Sequence, residues 1–347
     1  MRFSPSNPPS PRPRRSNAAS FLLGALLLGA PALGGCGSDG PKIDKDTQYD
    51  LYAETALGHY ENEDYNRAES QALKALEVRE DDVPMRLLVG FISLRRGSTR
   101  DLYVAEGLFK EMRSEDDPRV WLGLGTARER IGLVHEQTAQ DLLEGRRLPE
   151  KLTPEFEAGE LRDEARQYWG WAIEDYNKAL EYNPEYLKAL NGMLRTHVLL
   201  DERDRAEAFG LRLLAVAERE RQALREQLDR PGRSLTDRSY GRLQRDYEDT
   251  FELVIETHLA LHDLYRGDER LGPALEQLDA ALALEPKRPE LFGRRAELSM
   301  LLGRYDQALW DIDRLLSTSD LELDHPDIQR AFTLQREARA QVAKASR

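Results

Sequence analysis

One thiol, two imidazoles spaced by a helical turn, and one glycine-spaced turn are the groups of this 347-residue chain whose types and spacing could do chemistry. Cys36 is the only cysteine, and a single thiol excludes an intramolecular disulfide framework. His258 and His262 lie four apart, which puts both rings on one helix face. The Leu259-Ala260-Leu261 between them supplies no carboxylate to complete a metal site, so ordinary packing is the better reading. The stretch from Gly123 through Gly125 to Arg128 approaches a dinucleotide-phosphate turn but lacks the third glycine and a preceding strand. Neither a G-x-S-x-G elbow nor a phosphate-binding P-loop occurs. The abundant acids fall at ion-pair spacing, as with Glu218 and Arg221, and read as solvated helix surface. No catalytic set, cofactor site or metal site emerges, and the chain reads as a non-enzyme.

The elements that carry these groups are helices. Charged residues make up 33% of the chain, and Ala, Leu, Glu and Arg outnumber Val, Ile and Thr. The formal net charge is -13. Without the first 35 residues, which hold Arg2, Arg12, Arg14 and Arg15 and no acid, it becomes about -17. An acidic body argues against nucleic acid and anionic lipid surfaces as non-specific partners.

Small residues recur at a fixed distance. Ala172 and Ala179 lie seven apart on one helix face, Tyr176 sits between them, and Pro184 follows five residues later. Ala274, Leu278, Ala281 and Pro286 repeat that arrangement 102 residues on, three times 34, and Ala206 and Ala308 each fall 34 beyond an earlier alanine. Trp121-Leu122-Gly123-Leu124-Gly125 adds a W-x-x-L-G motif, with Gly132 at the distance of a helix-ending glycine. This pattern resembles the tetratricopeptide repeat (TPR) family. The resemblance implies an all-α fold, a right-handed superhelix (α-solenoid) of helix pairs, with small residues where helices approach most closely.

About six repeats are expected over residues 48–320. Ala68 and Ala75 mark the first; Gly90, Gly97, Ala105 and Phe109 the second, with Ser98-Thr99-Arg100 as extra residues between its helices. Gly303 ends the first helix of the last repeat, because glycine takes the left-handed turn without strain. Two stretches are too long for the period and predict elongated helical hairpins near 133–165 and 216–246. The interval from Ala206 to Ala274 is twice the period and leaves room for a degenerate extra repeat, but 216–246 lacks the small-residue signature. Residues 321–347 predict a polar capping helix.

The first 35 residues form a basic stretch, a short apolar run from Phe21 to Leu28, and then Leu33-Gly34-Gly35-Cys36. This resembles a bacterial lipobox, which implies a cleaved signal peptide and acylation at Cys36. The apolar run is shorter than the about 20 residues of a spanning helix. Residues 36–47 then read as a lipidated tether. Gly37 and Ser38 after the cysteine imply, by analogy, the outer membrane facing the periplasm, with the outer face of the cytoplasmic membrane as the other address. Arg14-Arg15 leaves both the general and the twin-arginine export routes open.

The family resemblance further implies that protein or peptide partners lie in a concave groove lined by the first helix of each repeat. By register, Tyr60, Phe91, Arg95, Glu129, Arg130, Asn191 and Arg195 face it. The Lys/Asn clamp of chaperone-binding TPR proteins is not reproduced, so an extended or helical segment is expected rather than a bare chain end. The function that follows is a lipid-anchored scaffold or adaptor in an envelope complex, similar in kind to pilotin lipoproteins or outer-membrane assembly lipoproteins. The alternative is an accessory scaffold for peptidoglycan hydrolases or proteases.

Overall fold

In the computed structural model, residues 44–151, 153–230 and 237–345 are described. Among them, thirteen α-helices occur and no strand. The first twelve form consecutive pairs: α1 (Lys45–Glu61) with α2 (Tyr65–Val78), α3 (Val83–Arg96) with α4 (Thr99–Glu111), α5 (Pro118–Leu143) with α6 (Pro154–Tyr182). They continue as α7 (Leu187–Leu199) with α8 (Arg203–Leu228), α9 (Asp237–Gly267) with α10 (Leu271–Leu284), and α11 (Pro289–Leu301) with α12 (Tyr305–Thr318). The last helix, α13 (Pro326–Ala345), packs on α11 and α12. Short connections force each pair antiparallel, and every second helix also packs against the next pair, which makes an all-α solenoid.

Local chemistry sets the helix ends. Asp44, Asp64, Asp82, Ser98, Asp117 and Thr153 each accept a backbone N–H of the first turn, and Pro84, Pro118 and Pro154 stand where a missing N–H costs nothing. Gly97 and Gly303 close their helices in the left-handed region, where a side chain would be strained. Pro184 and Pro286 fall just beyond α6 and α10.

The alanines of the 34-residue ruler are where the helices touch. Ala68, Ala75, Ala172, Ala179, Ala206, Ala274, Ala281 and Ala308 are all completely buried. Between them sit the large side chains. Phe109 of α4 lies between Gly90 of α3 and Gly123 of α5; Tyr176 of α6 lies between Gly125 of α5 and Gly192 of α7. A Cβ at Gly90 would fall 2.7 Å from Phe109, and one at Gly125 would fall 2.8 Å from Tyr176. The ring therefore occupies the space a side chain would need.

Three expectations need correction. The tether does not reach residue 47: Asp44 caps α1, which is helical from Lys45, because an Asp followed by Thr47 satisfies the first turn. Gly132 does not end a helix; it lies inside α5, where the Trp169 indole presses on its backbone and leaves no room for a Cβ. Ser98-Thr99-Arg100 are not a loop, since Ser98 caps α4 and Thr99 begins it. The lipobox and Cys36 lie outside the described residues. Between Ala206 and Ala274 the described residues form the long helices α8 and α9, with no additional short pair.

Candidate functional site: the inner face of the array

Helices α1, α3, α5 and α7 pack on one another in succession, whereas α2, α4, α6 and α8 do not approach one another as extensively. The odd-numbered side is therefore the short side of the curve, and over this stretch its surface is the inner face. Phe91 packs edge-on to Phe109 with ring centroids 5.2 Å apart, and Tyr60 packs edge-on to Tyr65 at 5.8 Å, the geometry aromatic quadrupoles prefer. Both Phe91 and Tyr60 remain partly exposed, as does Asn191. Leu87, Leu94 and Leu122 of the same helices are buried and support the face from beneath.

Charge on this face is organised around α5. Glu129 is only 3% exposed, and its carboxylate is fully engaged. It accepts from Arg195 Nε at 2.7 Å, from Arg195 Nη2 at 2.8 Å and from the Tyr176 hydroxyl at 2.6 Å. Such charge-assisted bonds are the strong ones. Burial and the Glu129 charge push the Tyr176 phenol well above its usual range. For Arg195, burial opposes the charge but Glu129 outweighs it, and the guanidinium is held above its usual range. The Glu129 backbone carbonyl also accepts from Trp169 Nε1 at 3.2 Å. Glu129 is thus no free groove contact: its oxygens are consumed by α6 and α7, which it locks to α5.

Arg130 is half-buried, with its guanidinium resting on Gly97 and donating to the Leu94 carbonyl at the end of α3. Burial lowers its pKa; attraction to Glu129 works against that, and the weaker repulsion from Arg95 and Arg195 works with it. Arg95 is exposed beside the Tyr60 side chain, whose phenol raises its pKa. Further along, α9 presents Glu252 and Glu256; burial and the neighbouring Glu252 raise the Glu256 carboxyl. Arg288 Nη1 meets Glu252 at 3.0 Å. The start of α9 returns to the first pair: Arg242 Nη2 lies 2.9 Å from Glu61 Oε1, across 181 positions of sequence. Register reasoning missed that contact, because nothing in a 34-residue period signals which elongated helix reaches back.

The other chemistry-bearing residues are engaged in packing. His258 Nδ1 lies 2.8 Å from Gln277 Oε1, and His262 Nδ1–H donates to the Ala274 carbonyl at 3.0 Å. Trp169 is buried, Trp171 stacks under Arg128 at 5.4 Å, and Trp121 is partly buried beside the Met193 core. Among the described residues, no helix is long and apolar enough to cross a membrane.

No protein-family model matches the chain, and no curated protein matches it by sequence. Among solved structures it is similar to a thermophilic TPR protein of Thermus thermophilus, with 20% identity and a TM-score of 0.45 over 73% of this chain and 99% of that one. It is similar to the nuclear import adaptor Nro1 of S. pombe, with 12% identity and a TM-score of 0.49 over 85% and 99%. A tetratricopeptide repeat protein from Parabacteroides merdae matches at 15% identity and a TM-score of 0.36, over 83% and 99%.

Proposed function

We propose that this protein is a non-catalytic scaffold whose inner face binds a segment of a protein partner, and that acylation at Cys36 holds it to a membrane of the bacterial envelope. The observation that carries the reading is the inner face itself. Partly exposed Tyr60, Phe91 and Asn191 lie among arginines on a surface whose backbone is held by buried rings and a buried carboxylate. A fixed surface with exposed aromatic and cationic groups lowers the ordering cost of association, which is what recognition needs. Lipid attachment would supply location, recognition would lie in the groove, and assembly of an envelope complex such as a pilus or outer-membrane machine is the task that combines them. The sequence Leu33-Gly34-Gly35-Cys36 supports the address, with the outer membrane favoured by Gly37 and Ser38.

The test places a photo-crosslinking residue in turn at Phe91, at Asn191 and at outer-face Leu73, in cells carrying either Cys36 or Cys36→Ala. Partner capture from Phe91 and Asn191 but not Leu73, together with loss of membrane fractionation in Cys36→Ala, is expected. Equal capture from Leu73 removes the groove, and unchanged fractionation removes the lipid anchor.

A further inference from the structure

The Tyr103 hydroxyl lies 3.1 Å from His135 Nε2, and Glu164 Oε2 lies 2.9 Å from His135 Nδ1. The three stand on α4, α5 and α6 in turn. His135 and Glu164 belong to the stretch by which the α5–α6 hairpin exceeds the 34-residue unit, so pairing of the repeat helices does not account for them. Nδ1 is buried, and Glu164 is the carboxylate that approaches it. A carboxylate there favours the tautomer protonated on Nδ1, which leaves the Nε2 lone pair to accept from the phenol. Tyr103 is 42% exposed, so its ring is open to solvent. A weak nucleophile held on a base that a third group orients is the arrangement that activates hydroxyls.

The surroundings select the kind of reagent. Tyr168 stacks on the imidazole with ring centroids 5.5 Å apart, and Trp171 stands edge-on to Tyr168 at 5.2 Å. Burial, then the Glu106 charge and Tyr103, push the Tyr168 phenol up to about 12. Tyr168 therefore keeps its proton and serves as a wall. Lys110 and Arg128 are both held by Glu106, so neither is free to meet a phosphate. Aromatic walls beside carboxylates suit an uncharged electrophile. We propose that Tyr103 is a covalent modification site, a phenol that His135 and Glu164 prepare for acylation by an uncharged activated ester. In this step the Tyr103 oxygen bonds to the acyl carbon while its proton passes to His135 Nε2. The bond from the acyl carbon to the leaving oxygen breaks, and the leaving group departs with the electron pair. The imidazolium, steadied by Glu164, then releases its proton to water, and nothing is oxidised or reduced. The site is built on α4 and the far part of the α5–α6 hairpin, so it stands independently of partner capture by the inner face.

The probe is p-nitrophenyl acetate, added to the full chain in detergent, with acetylated residues located over time by peptide mass mapping. Tyr103 should be acetylated at least about tenfold faster than Tyr240, which is 47% exposed. His135→Gln can still hydrogen-bond the phenol but cannot take its proton, and it should slow Tyr103 by at least about tenfold while leaving Tyr240 unchanged. Glu164→Gln, at an exposed position, should slow Tyr103 by less. A pH profile separates activation from simple packing. With the relay intact, the Tyr103 rate should rise and level off across about pH 6–8, where an imidazole gives up its proton. In His135→Gln it should go on rising toward about pH 10, where a free phenol ionises. Equal rates at Tyr103 and Tyr240, acetyl groups on His135 alone, or a Tyr103 rate that His135→Gln leaves unchanged each overturn the proposal. So does a Tyr103 profile in the unsubstituted protein that climbs to about pH 10 without levelling, a result that needs no variant to fold.

Discussion

The pairs around α3–α7 and those around α9–α12 solve the same packing problem with opposite choices of side chain. Four residues after the small residue of each second helix, the early pairs place a ring, Phe109 after Ala105 and Tyr176 after Ala172, and face it with glycine on both neighbouring helices. The late pairs place Leu278 after Ala274 and Ile312 after Ala308; there Gly293 has only a Leu315 methyl at 3.5 Å, an ordinary contact. Between them α8 inverts the arrangement: Gly210 follows Ala206, and Leu261 of α9 fills the space from the other side. A ring between two glycines admits one geometry, whereas branched aliphatics can shift slightly without loss of contact. The tightly specified half is also the half that carries the inner-face arginines, because Tyr176 reaches through the glycine layer to Glu129 and so to Arg195.

The largest difference should come from removing the large side chain. Tyr176→Ala empties a fully buried ring site and strips Glu129 of a hydrogen bond, with an expected loss of about 3–5 kcal/mol in denaturant unfolding. Leu278→Ala at the corresponding place should fall at the low end of about 2–5 kcal/mol. Equal losses would show that the two halves are packed alike.

Adding one methyl reverses the test. Gly123→Ala drives a Cβ into the Phe109 ring and should cost about 1–3 kcal/mol. Gly293→Ala meets only ordinary contact and gains helix propensity, so it should be neutral or stabilising by up to about 1 kcal/mol. A measurable loss at Gly293 would remove the distinction.

The two regions also bury a carboxylate on an arginine differently. Arg128 is shared between Asp175 at 2.8 Å and Glu106 at 3.3 Å, all three nearly inaccessible. Burial pushes Asp175 up to about 7 despite that partner. Asp311 receives the Arg295 fork at 2.6 and 3.0 Å; burial raises it too, against Arg295. A carboxyl raised above its unfolded value of about 4 holds its proton more tightly in the native state. That stabilisation is complete below the unfolded value and is lost as pH climbs toward about 7. The melting temperature should therefore fall between about pH 4 and about pH 7, and Asp175→Asn should flatten that slope more than Asp311→Asn does. A slope that survives Asp175→Asn would move the effect elsewhere.

These contrasts mark what a sequence can and cannot carry. Alanines at multiples of 34 announce helix pairs, because close helix approach demands a small residue wherever it occurs, and Ala172, Ala206, Ala274 and Ala308 are all buried. Partner identity across an interface depends on the relative rotation of two helices, which no single helix encodes. Gly123, Gly125 and Gly132 thus read as motif letters or a helix end, while their cause is the ring of Phe109, Tyr176 or Trp169. Likewise a groove register puts Glu129 and Arg130 side by side, and only packing decides that α6 and α7 consume the acid while the end of α3 half-covers the cation.

The smallest expected difference lies at the helix starts. Helices α1 to α6 each begin with an Asp, Ser or Thr that accepts a first-turn N–H, whereas α7, α8, α10, α11 and α12 begin at Tyr186, Glu202, Arg270, Arg288 and Arg304 with no side-chain cap. Asp82 accepts from Met85 N at 2.9 Å, so Asp82→Ala should cost about 1 kcal/mol. Arg304 puts a cationic residue at the N-cap of α12, and Arg304→Asp supplies both an acceptor and the favourable charge, with a gain of up to about 1 kcal/mol. The late pairs hold together through apolar contact without caps, so their ends retain stability that a single acceptor can add. If Arg304→Asp leaves the unfolding midpoint where it was, the backbone before Tyr305 does not present its N–H groups to that side chain. The two halves would then differ in their cores alone.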